Sequence, residues 1–215
     1  MEHISETLQN CRTETATLSP PPIPNLNDLS QKQEQLERSL GITSLNNTFE
    51  NFEAMPGTEA ALNTFKSVLD GPEFMLLCNG GVGNGKTHLC EAAAIELYKR
   101  GKLCRVMKMS EMLSTLRRAI NDPEMDYDKI LGNYCYAERL IVDDIGAGGS
   151  DSAFGDRVLE EIVVARYGRQ LLTIMTSNRE LNTLPERVRS RFSDSVTSYL
   201  VLNEGQDYRP QRAAQ

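Results

Sequence analysis

The chain has 215 residues, a formal net charge of −7 and a hydrophobic fraction of 40%. This size suits one globular domain with a tail, and no apolar run approaches the roughly 18 residues that a membrane-spanning helix requires. The acidic balance argues against wholesale non-specific binding to nucleic acid but allows a local basic surface. A polar, acidic N-terminus and five cysteines without C-x-x-C spacing predict a cytoplasmic protein with reduced thiols, with no signal peptide or membrane association.

The first 42 residues are predicted to be a tail that includes a partner-binding segment. Residues 1–27 are polar and contain a stiff proline-rich linker at 19–24. Residues 28–40 predict one helix, ended by Gly41, whose apolar stripe is limited to Leu29, Leu36 and Leu40. Because so narrow a stripe cannot fold alone, the helix is expected to dock on the domain or to be offered to a partner. The alternative is a solvated helix with no role.

From residue 43 onwards, strands alternate with helices. Apolar runs predict strands at 73–79, 103–109, 139–142, 171–176 and 196–202, and helical periodicity falls between them, at 58–69, 86–100, 110–120, 127–137, 156–167 and 184–192. In the third of these helices, Met112, Leu113, Leu116 and Ile120 share one face. The alternation predicts an α/β fold, a five-stranded parallel sheet covered on both faces, spanning residues 43–209 and followed by a disordered C-terminus at 210–215.

A glycine-rich loop joins the first strand to the next helix. It has the pattern G-x-x-x-x-G-K-[ST] and comprises Gly80, Gly81, Val82, Gly83, Asn84, Gly85, Lys86 and Thr87. The glycines let successive backbone N–H groups face one anion, and the helix N-terminus adds partial positive charge. Lys86 is expected to reach the outer phosphates and Thr87 to ligate Mg²⁺. The pattern predicts a site for a nucleoside triphosphate.

The third strand ends in two acids. Asp143 is expected to hold Mg²⁺, and Asp144 to polarise the attacking water as a general base. The alternative is that two acids merely end a strand and cap the next turn. One predicted strand separates the two acids from Lys86 along the chain, and this spacing favours the catalytic interpretation.

Polar and basic residues follow the fourth strand. Asn178 stands where ligands bind in open α/β sheets, which favours a sensor of the γ-phosphate over an ordinary turn. Residues 186–192 contain three arginines, of which Arg187 and Arg191 share a helical face. Either they form a basic surface helix, or one of them contacts the nucleotide of a neighbouring subunit.

Taken together, these motifs resemble the AAA+ ATPases, in particular the DnaC/DnaI-type helicase loaders and the IstB-type transposition ATPases. The matching segments are 48–52, 83–89 (which includes His88), 140–146, 165–167, 176–178, 187–192 and 207–209. The resemblance covers residues 43–209 and implies a P-loop three-layer sandwich without a C-terminal lid. It also implies that Arg191, with Arg187 second, acts in trans as an arginine finger, that Arg209 acts as a late sensor, and that Phe49 and its neighbours line the adenine pocket.

By this resemblance, ATP hydrolysis serves a switch or mechanical task, namely assembly on single-stranded DNA and delivery of a replicative helicase. After the second strand, charge and aromatic rings coincide at Lys108, Arg117, Arg118, Tyr127, Tyr134 and Tyr136, a combination that suits contact with DNA. The alternative, which the sequence favours, is that the arginines are solvated on amphipathic helices and the tyrosines pack on the core. The alternatives are a transposition helper ATPase, a P-loop small-molecule kinase, which would need a lid and a substrate-binding arginine cluster, and an adaptor that binds ATP but barely hydrolyses it.

Overall fold

The computed structural model describes residues 29–146 and 152–207. The strands are β1 (Met75–Gly80), β2 (Val106–Lys108), β3 (Arg139–Asp143), β4 (Leu172–Ser177) and β5 (Ser198–Asn203). The α-helices are α1 (Leu29–Leu40), α2 (Glu59–Val68), α3 (Lys86–Lys99), α4 (Met109–Asn121), α5 (Tyr127–Tyr136), α6 (Ser152–Gly168) and α7 (Glu186–Phe192). A short 3₁₀ helix, Leu181–Thr183, precedes α7 and was not predicted.

All five strands are parallel and lie in the order β2-β3-β4-β1-β5. The predicted α/β fold with a five-stranded parallel sheet is therefore confirmed. Strand β2 is shorter than predicted, since only residues 106–108 pair with β3. The chain leaves β1 towards β2 on one side, and β5 lies on the other side of β1. The carboxyl end of β1 is thus a topological switch point, where ligands bind in such sheets.

Side chains alternate across the sheet and build a core on each face. In β1, Leu76 and Cys78 belong to a core shared with α2 and α3, whereas Met75 and Leu77 belong to a core shared with α4 to α7. This alternation makes every residue of β1 from Met75 to Cys78 inaccessible to solvent. The P-loop that follows therefore projects from the rigid centre of the domain.

Helix α1 docks on the domain. Leu40 is 1% exposed and belongs to the core on the α3 side, and Leu36 packs against that core. The Oε1 atom of Glu37 accepts a hydrogen bond of 3.0 Å from the backbone N–H of Leu45. The helix thus contacts both the core and the segment that follows it, which is the first of the possibilities that the sequence left open.

The predicted apolar face of α4 needs one correction. Met112, Leu113 and Leu116 are buried, but Ile120 is 60% exposed and Ala119 is buried in its place. The helix ends at Asn121, and in its last turn the residue that faces the core is Ala119, which shifts the buried stripe by one position.

Arg166 is the largest fully buried side chain of the described residues. It donates to Thr173 Oγ1 (2.8 Å) and to the carbonyl oxygens of Tyr134 (3.0 Å), Ala137 (2.7 Å) and Leu172 (2.7 Å). Burial lowers its pKa to about 10, which still leaves it charged at neutral pH. The charged guanidinium, with a hydrogen bond from each of its three nitrogen atoms, therefore joins α6 to β4 and to the end of α5.

Four cysteines, Cys78, Cys90, Cys104 and Cys135, are buried free thiols, as predicted, and Cys11 lies outside the described residues. Burial raises the pKa of Cys78 and of Cys104 to about 12, so both thiols are protonated and unreactive. Within residues 29–146 and 152–207, no helix combines the length and apolar content needed to cross a bilayer.

Candidate functional site

The P-loop turns sharply between β1 and α3. Gly85 precedes the first residue of α3 with φ 87°, a left-handed conformation that favours glycine. A Cβ atom at Gly85 would lie 2.7 Å from the Phe52 ring, so a larger residue would also collide with the segment that contains Phe52. Both requirements explain why glycine stands at this position of the motif.

Lys86 folds back on the loop that precedes it. Its Nζ atom donates to the carbonyl oxygens of Gly80 (2.9 Å) and Gly81 (2.5 Å) and to Asn84 Oδ1 (3.0 Å). The side chain is largely buried, and this burial lowers the pKa of the ammonium group. An anion brought beside Lys86 would offset this cost, because an opposite charge stabilises the protonated form.

The two strand-end acids occupy different environments. Asp143 is 4% exposed and accepts hydrogen bonds from Thr87 Oγ1 (2.8 Å) and Thr176 Oγ1 (2.5 Å). Asp144 is half-buried, has φ 57°, and its N–H donates to Thr176 Oγ1 (2.9 Å). Burial, reinforced by the charge of Asp143, raises the pKa of the Asp144 carboxyl. The acids therefore suit different tasks, one fixed by hydroxyl groups and the other a stronger base than an ordinary aspartate.

The P-loop and the acids line one cleft of about 750 Å³. Of the predicted site residues, the cleft is lined by Val82, Gly83, Asn84, Gly85, Lys86, Thr87, His88, Asp143, Asp144 and Asn178. Gly80 and Gly81 are outside this lining and contribute carbonyl acceptors to Lys86. The volume lies within the range of about 300–1,000 Å³ that is usual for small-molecule sites.

One wall of the cleft is formed by the segment between α1 and α2. Glu91 of α3 accepts hydrogen bonds from the Thr43 N–H (3.0 Å) and from Asn47 Nδ2 (2.7 Å), and His88 Nε2 lies 2.8 Å from the carbonyl oxygen of Thr48. Phe52 contacts His88 edge to face, with ring centroids 5.2 Å apart. The P-loop helix thus holds this wall in place from the inside.

The prediction for Phe49 needs correction, because Phe49 is 7% exposed and belongs to the core. The neighbouring Phe52 lines the cleft instead, together with Asn46, Asn47, Asn51 and Met55. Both phenylalanines stand in a loop-like segment, and the sequence carried no periodic signal that distinguishes the inward ring from the cleft-facing one.

The oxygen atoms of Thr87 and Asp143 fit a magnesium site. A hydroxyl and a carboxylate 2.8 Å apart are hard oxygen ligands, which Mg²⁺ prefers. Within the described ranges, no three His, Cys, Asp or Glu side chains group as a metal site. A small protein contribution of this kind is typical of Mg²⁺ held together with the phosphates of a nucleotide.

A sequence model of the family described as the bacterial DnaA ATPase domain matches residues 44–198, well over half of the chain. The chain belongs to this family. The resemblance to AAA+ ATPases of the DnaC and DnaI type is thereby confirmed.

Three relatives illustrate the match. The replicative helicase loader DnaC of Escherichia coli (strain K12) is 23% identical over 166 residues, which are 74% of this chain and 67% of the loader. A replication initiator DnaA bound to AMPPCP and single-stranded DNA superposes with a TM-score of 0.65 at 23% identity, over 76% of this chain and 51% of that chain. A DnaC helicase loader crystal structure gives 0.60 at 22% identity, over 74% and 98%. This chain therefore spans about half the length of the DnaA chain, and at these identities the two structures support the AAA+ fold alone.

In this AAA+ domain, Asn178 is exposed at the end of β4 and lines the cleft. The next residue is firmly anchored, because Asn79 Nδ2 donates to the Arg179 carbonyl oxygen (2.6 Å) and Arg179 Nη1 forms an ion pair with Asp156 (2.7 Å). Arg179 is thus connected to β1 through its carbonyl oxygen and to α6 through its guanidinium.

The arginines of α7 lie outside the lining of the cleft. Arg187 is exposed and forms an ion pair of 3.1 Å with Glu160. The Arg191 guanidinium lies over the Tyr167 ring, 4.9 Å from its centroid. Within the described part of the chain, Arg191 Nε is buried without a hydrogen-bond partner. Arg209, the predicted late sensor, lies outside the described residues.

The residues predicted to contact DNA lie in different environments. Lys108 lines the cleft instead. Tyr127 and Tyr134 pack against the core. Arg117 lies over the Phe154 ring at 5.1 Å, whereas Arg118 and Tyr136 are exposed, the latter beneath the Arg169 guanidinium at 4.4 Å.

Proposed function

We propose that the chain binds ATP with Mg²⁺ in the P-loop cleft and hydrolyses it. The observation that carries this proposal is the meeting of Lys86, the Thr87–Asp143 pair and Asp144 at one edge of the sheet. Lys86 and the loop N–H groups bind the phosphates, and Thr87 and Asp143 hold the metal ion. When bound, Mg²⁺ supplies charge neutralisation to the phosphate oxygens.

The remaining roles are assigned to residues around the γ-phosphate position. Asp144 accepts the proton of the attacking water, which its raised pKa favours. Asn178 hydrogen-bonds the γ-phosphate or the water. Arg179 follows Asn178 directly, and its guanidinium is bonded to Asp156. This bond connects the Asn178 contact to α6. Loss of the γ-phosphate is thereby transmitted to α6 and to α7, which packs against it.

Arg191 completes the site of a neighbouring copy. Its support is that the guanidinium is held by contact with the Tyr167 ring, and that its Nε atom has no hydrogen-bond partner among the described residues. An arginine in a tight ion pair would be harder to transfer. The oligomer is therefore proposed to be the active form, with the finger acting in trans.

Arg191→Ala is expected to leave ATP affinity unchanged and to lower the turnover of the assembled protein by about 1,000-fold, as for arginine fingers elsewhere. Turnover at saturating ATP, measured at high and at low protein concentration, tests this. Arg189→Ala is the matched control, because Arg189 is exposed on the same helix. An equal loss of ATP affinity in dilute monomer would make Arg191 a residue of its own subunit's site.

The biological task that we propose is loading a hexameric replicative helicase onto single-stranded DNA. Its support is the similarity to a replicative helicase loader and to an initiator bound to single-stranded DNA. Residues 1–42 are proposed to contact the helicase. Because Leu40 is buried in the core, the side chains that α1 exposes between residues 31 and 39 are polar or charged.

A pull-down tests the partner. Full-length protein with ATP is expected to retain a hexameric helicase from host lysate, and a variant lacking residues 1–28 is expected to lose it while keeping its ATPase activity. The deletion stops before α1 because removing Leu40 would open the core. Unchanged helicase capture would exclude residues 1–28 as the contact. A transposase in place of the helicase would favour the alternative of a transposition helper.

A further inference from the structure

The P-loop is joined to the end of β5 by a reciprocal pair of hydrogen bonds. Asn84 Nδ2 donates to the carbonyl oxygen of Asn203 (2.8 Å), and Asn203 Nδ2 donates to the carbonyl oxygen of Asn84 (3.0 Å). Both residues are buried, with 4% and 2% exposure. Two antiparallel bonds between the same residues fix the orientation of the loop as well as its position. We call this pair the asparagine clasp.

The clasp also determines how Asn84 faces Lys86. Asn84 Oδ1 accepts a hydrogen bond from Lys86 Nζ (3.0 Å), so both ends of the amide are used. A flipped amide would place its NH₂ group against the ammonium, which can only donate. Asn203 is itself oriented, since its Oδ1 accepts from the N–H of Gly205 (3.2 Å). An ordered series of bonds therefore runs from the residues after β5 to the P-loop lysine.

The backbones of the two segments are in close contact at this point. Gly80 pairs with Asn203 in the register of β1 and β5, and a Cβ atom at Gly80 would lie 2.2 Å from the Asn203 carbonyl oxygen. The first glycine of the motif is thus required for the approach of β5. Neighbouring strand ends in direct contact allow little independent movement of the loop.

We propose that Asn203 is a positioning residue for the P-loop, which holds the loop backbone in its phosphate-binding curvature before a nucleotide arrives. The inference rests on the proposed binding of ATP and adds a residue that lies outside the motif by more than 100 positions. Preorganisation of this kind strengthens binding, because the ligand does not have to order the loop.

Asn203→Asp tests the proposal in the full-length chain. The change keeps the side-chain shape but replaces the N–H donor by a carboxylate oxygen that faces the Asn84 carbonyl oxygen, and Asn203→Ser removes the same donor without adding a negative charge. The affinity for a fluorescent ATP analogue is expected to fall by about 10-fold or more, the factor that corresponds to one lost buried hydrogen bond with an unpaired acceptor. In ATPase assays, KM should rise by a similar factor while kcat at saturating ATP stays within about 2-fold, because bound nucleotide restores the loop.

Amide hydrogen exchange gives a readout that does not depend on the nucleotide. Without ATP, Asn203→Asp should accelerate exchange in residues 80–87. Val201→Ala is the matched control, since Val201 is a buried residue of the same strand that takes no part in the clasp. It should lower the melting temperature and leave both ATP affinity and exchange in 80–87 unchanged. If Asn203→Asp yields little folded protein, Asn203→Ser is measured in the same way.

The outcomes separate this inference from the proposed function. Wild-type protein that binds ATP, together with an Asn203→Asp variant of equal affinity and equal exchange, would overturn the positioning role and leave the ATPase proposal standing. Wild-type protein that binds no ATP, together with faster exchange in the variant, would overturn the proposed function while supporting the clasp as the element that holds the loop.

Discussion

Lys86→Ala is expected to abolish ATP binding at micromolar concentrations, with a loss in affinity of at least about 100-fold. The ammonium is largely buried and donates to the carbonyl oxygens of Gly80 and Gly81, and it is the cation that we propose to bind the phosphates. Alanine removes that charge without replacing its hydrogen bonds. Isothermal titration calorimetry with ATP and Mg²⁺ measures the effect directly.

Lys99→Ala is the control for this experiment. Lys99 is exposed at the far end of the same helix, so its loss removes an equal charge from α3 without touching the cleft. Its ATP affinity should equal that of the wild type. Retained micromolar affinity in Lys86→Ala, with a normal circular dichroism spectrum, would contradict the assignment of the loop as the phosphate site.

Asp144→Asn is expected to lower ATP turnover by at least about 100-fold, the usual contribution of a general base, while ATP affinity is kept. The same variant should unfold at a higher temperature than the wild type. Two observations support the gain: the half-buried carboxylate stands beside Asp143, and its φ of 57° is a conformation that asparagine tolerates well. Single-turnover hydrolysis and thermal unfolding are the two measurements.

Asp143→Asn is the comparison for this variant. Asp143 accepts hydrogen bonds from both Thr87 and Thr176. Its replacement should therefore reduce the gain in ATP affinity that Mg²⁺ provides and should also lower the unfolding temperature. The two neighbouring acids are thus expected to change stability in opposite directions. Equal destabilisation by both substitutions, or full turnover in Asp144→Asn, would contradict the division of roles between them.

The parts of the site that the sequence predicted are those in which one local pattern carries both the element and the chemistry. The P-loop is a strand, a glycine loop and a helix in succession, and Asp143 and Asn178 each end an apolar run. The topology then brings these ends together, because parallel strands present their carboxyl ends at one edge.

The parts that escaped prediction depend on contacts between distant segments. Asn203 bonds to a residue 119 positions away, and nothing in its own neighbourhood marks it. From the sequence, Arg166 is one cation on an amphipathic helix, whereas in the structure its guanidinium is buried against β4 and the end of α5. The hydroxyl of Thr176 holds both acids, a role that requires the pairing of β3 with β4. Such roles follow from register, which a single sequence does not display.

The cleft wall formed by the segment after α1 links the N-terminal helix to the P-loop helix. The segment that follows α1 is bonded to Glu37 on α1 at one point and to Glu91 and His88 on the P-loop helix at others. These hydrogen bonds, 2.8–3.0 Å long, connect α1 through the segment that follows it to the rim of the cleft. Thermodynamic linkage is reciprocal: if ATP changes the affinity of a partner for α1, that partner changes the affinity for ATP by the same factor.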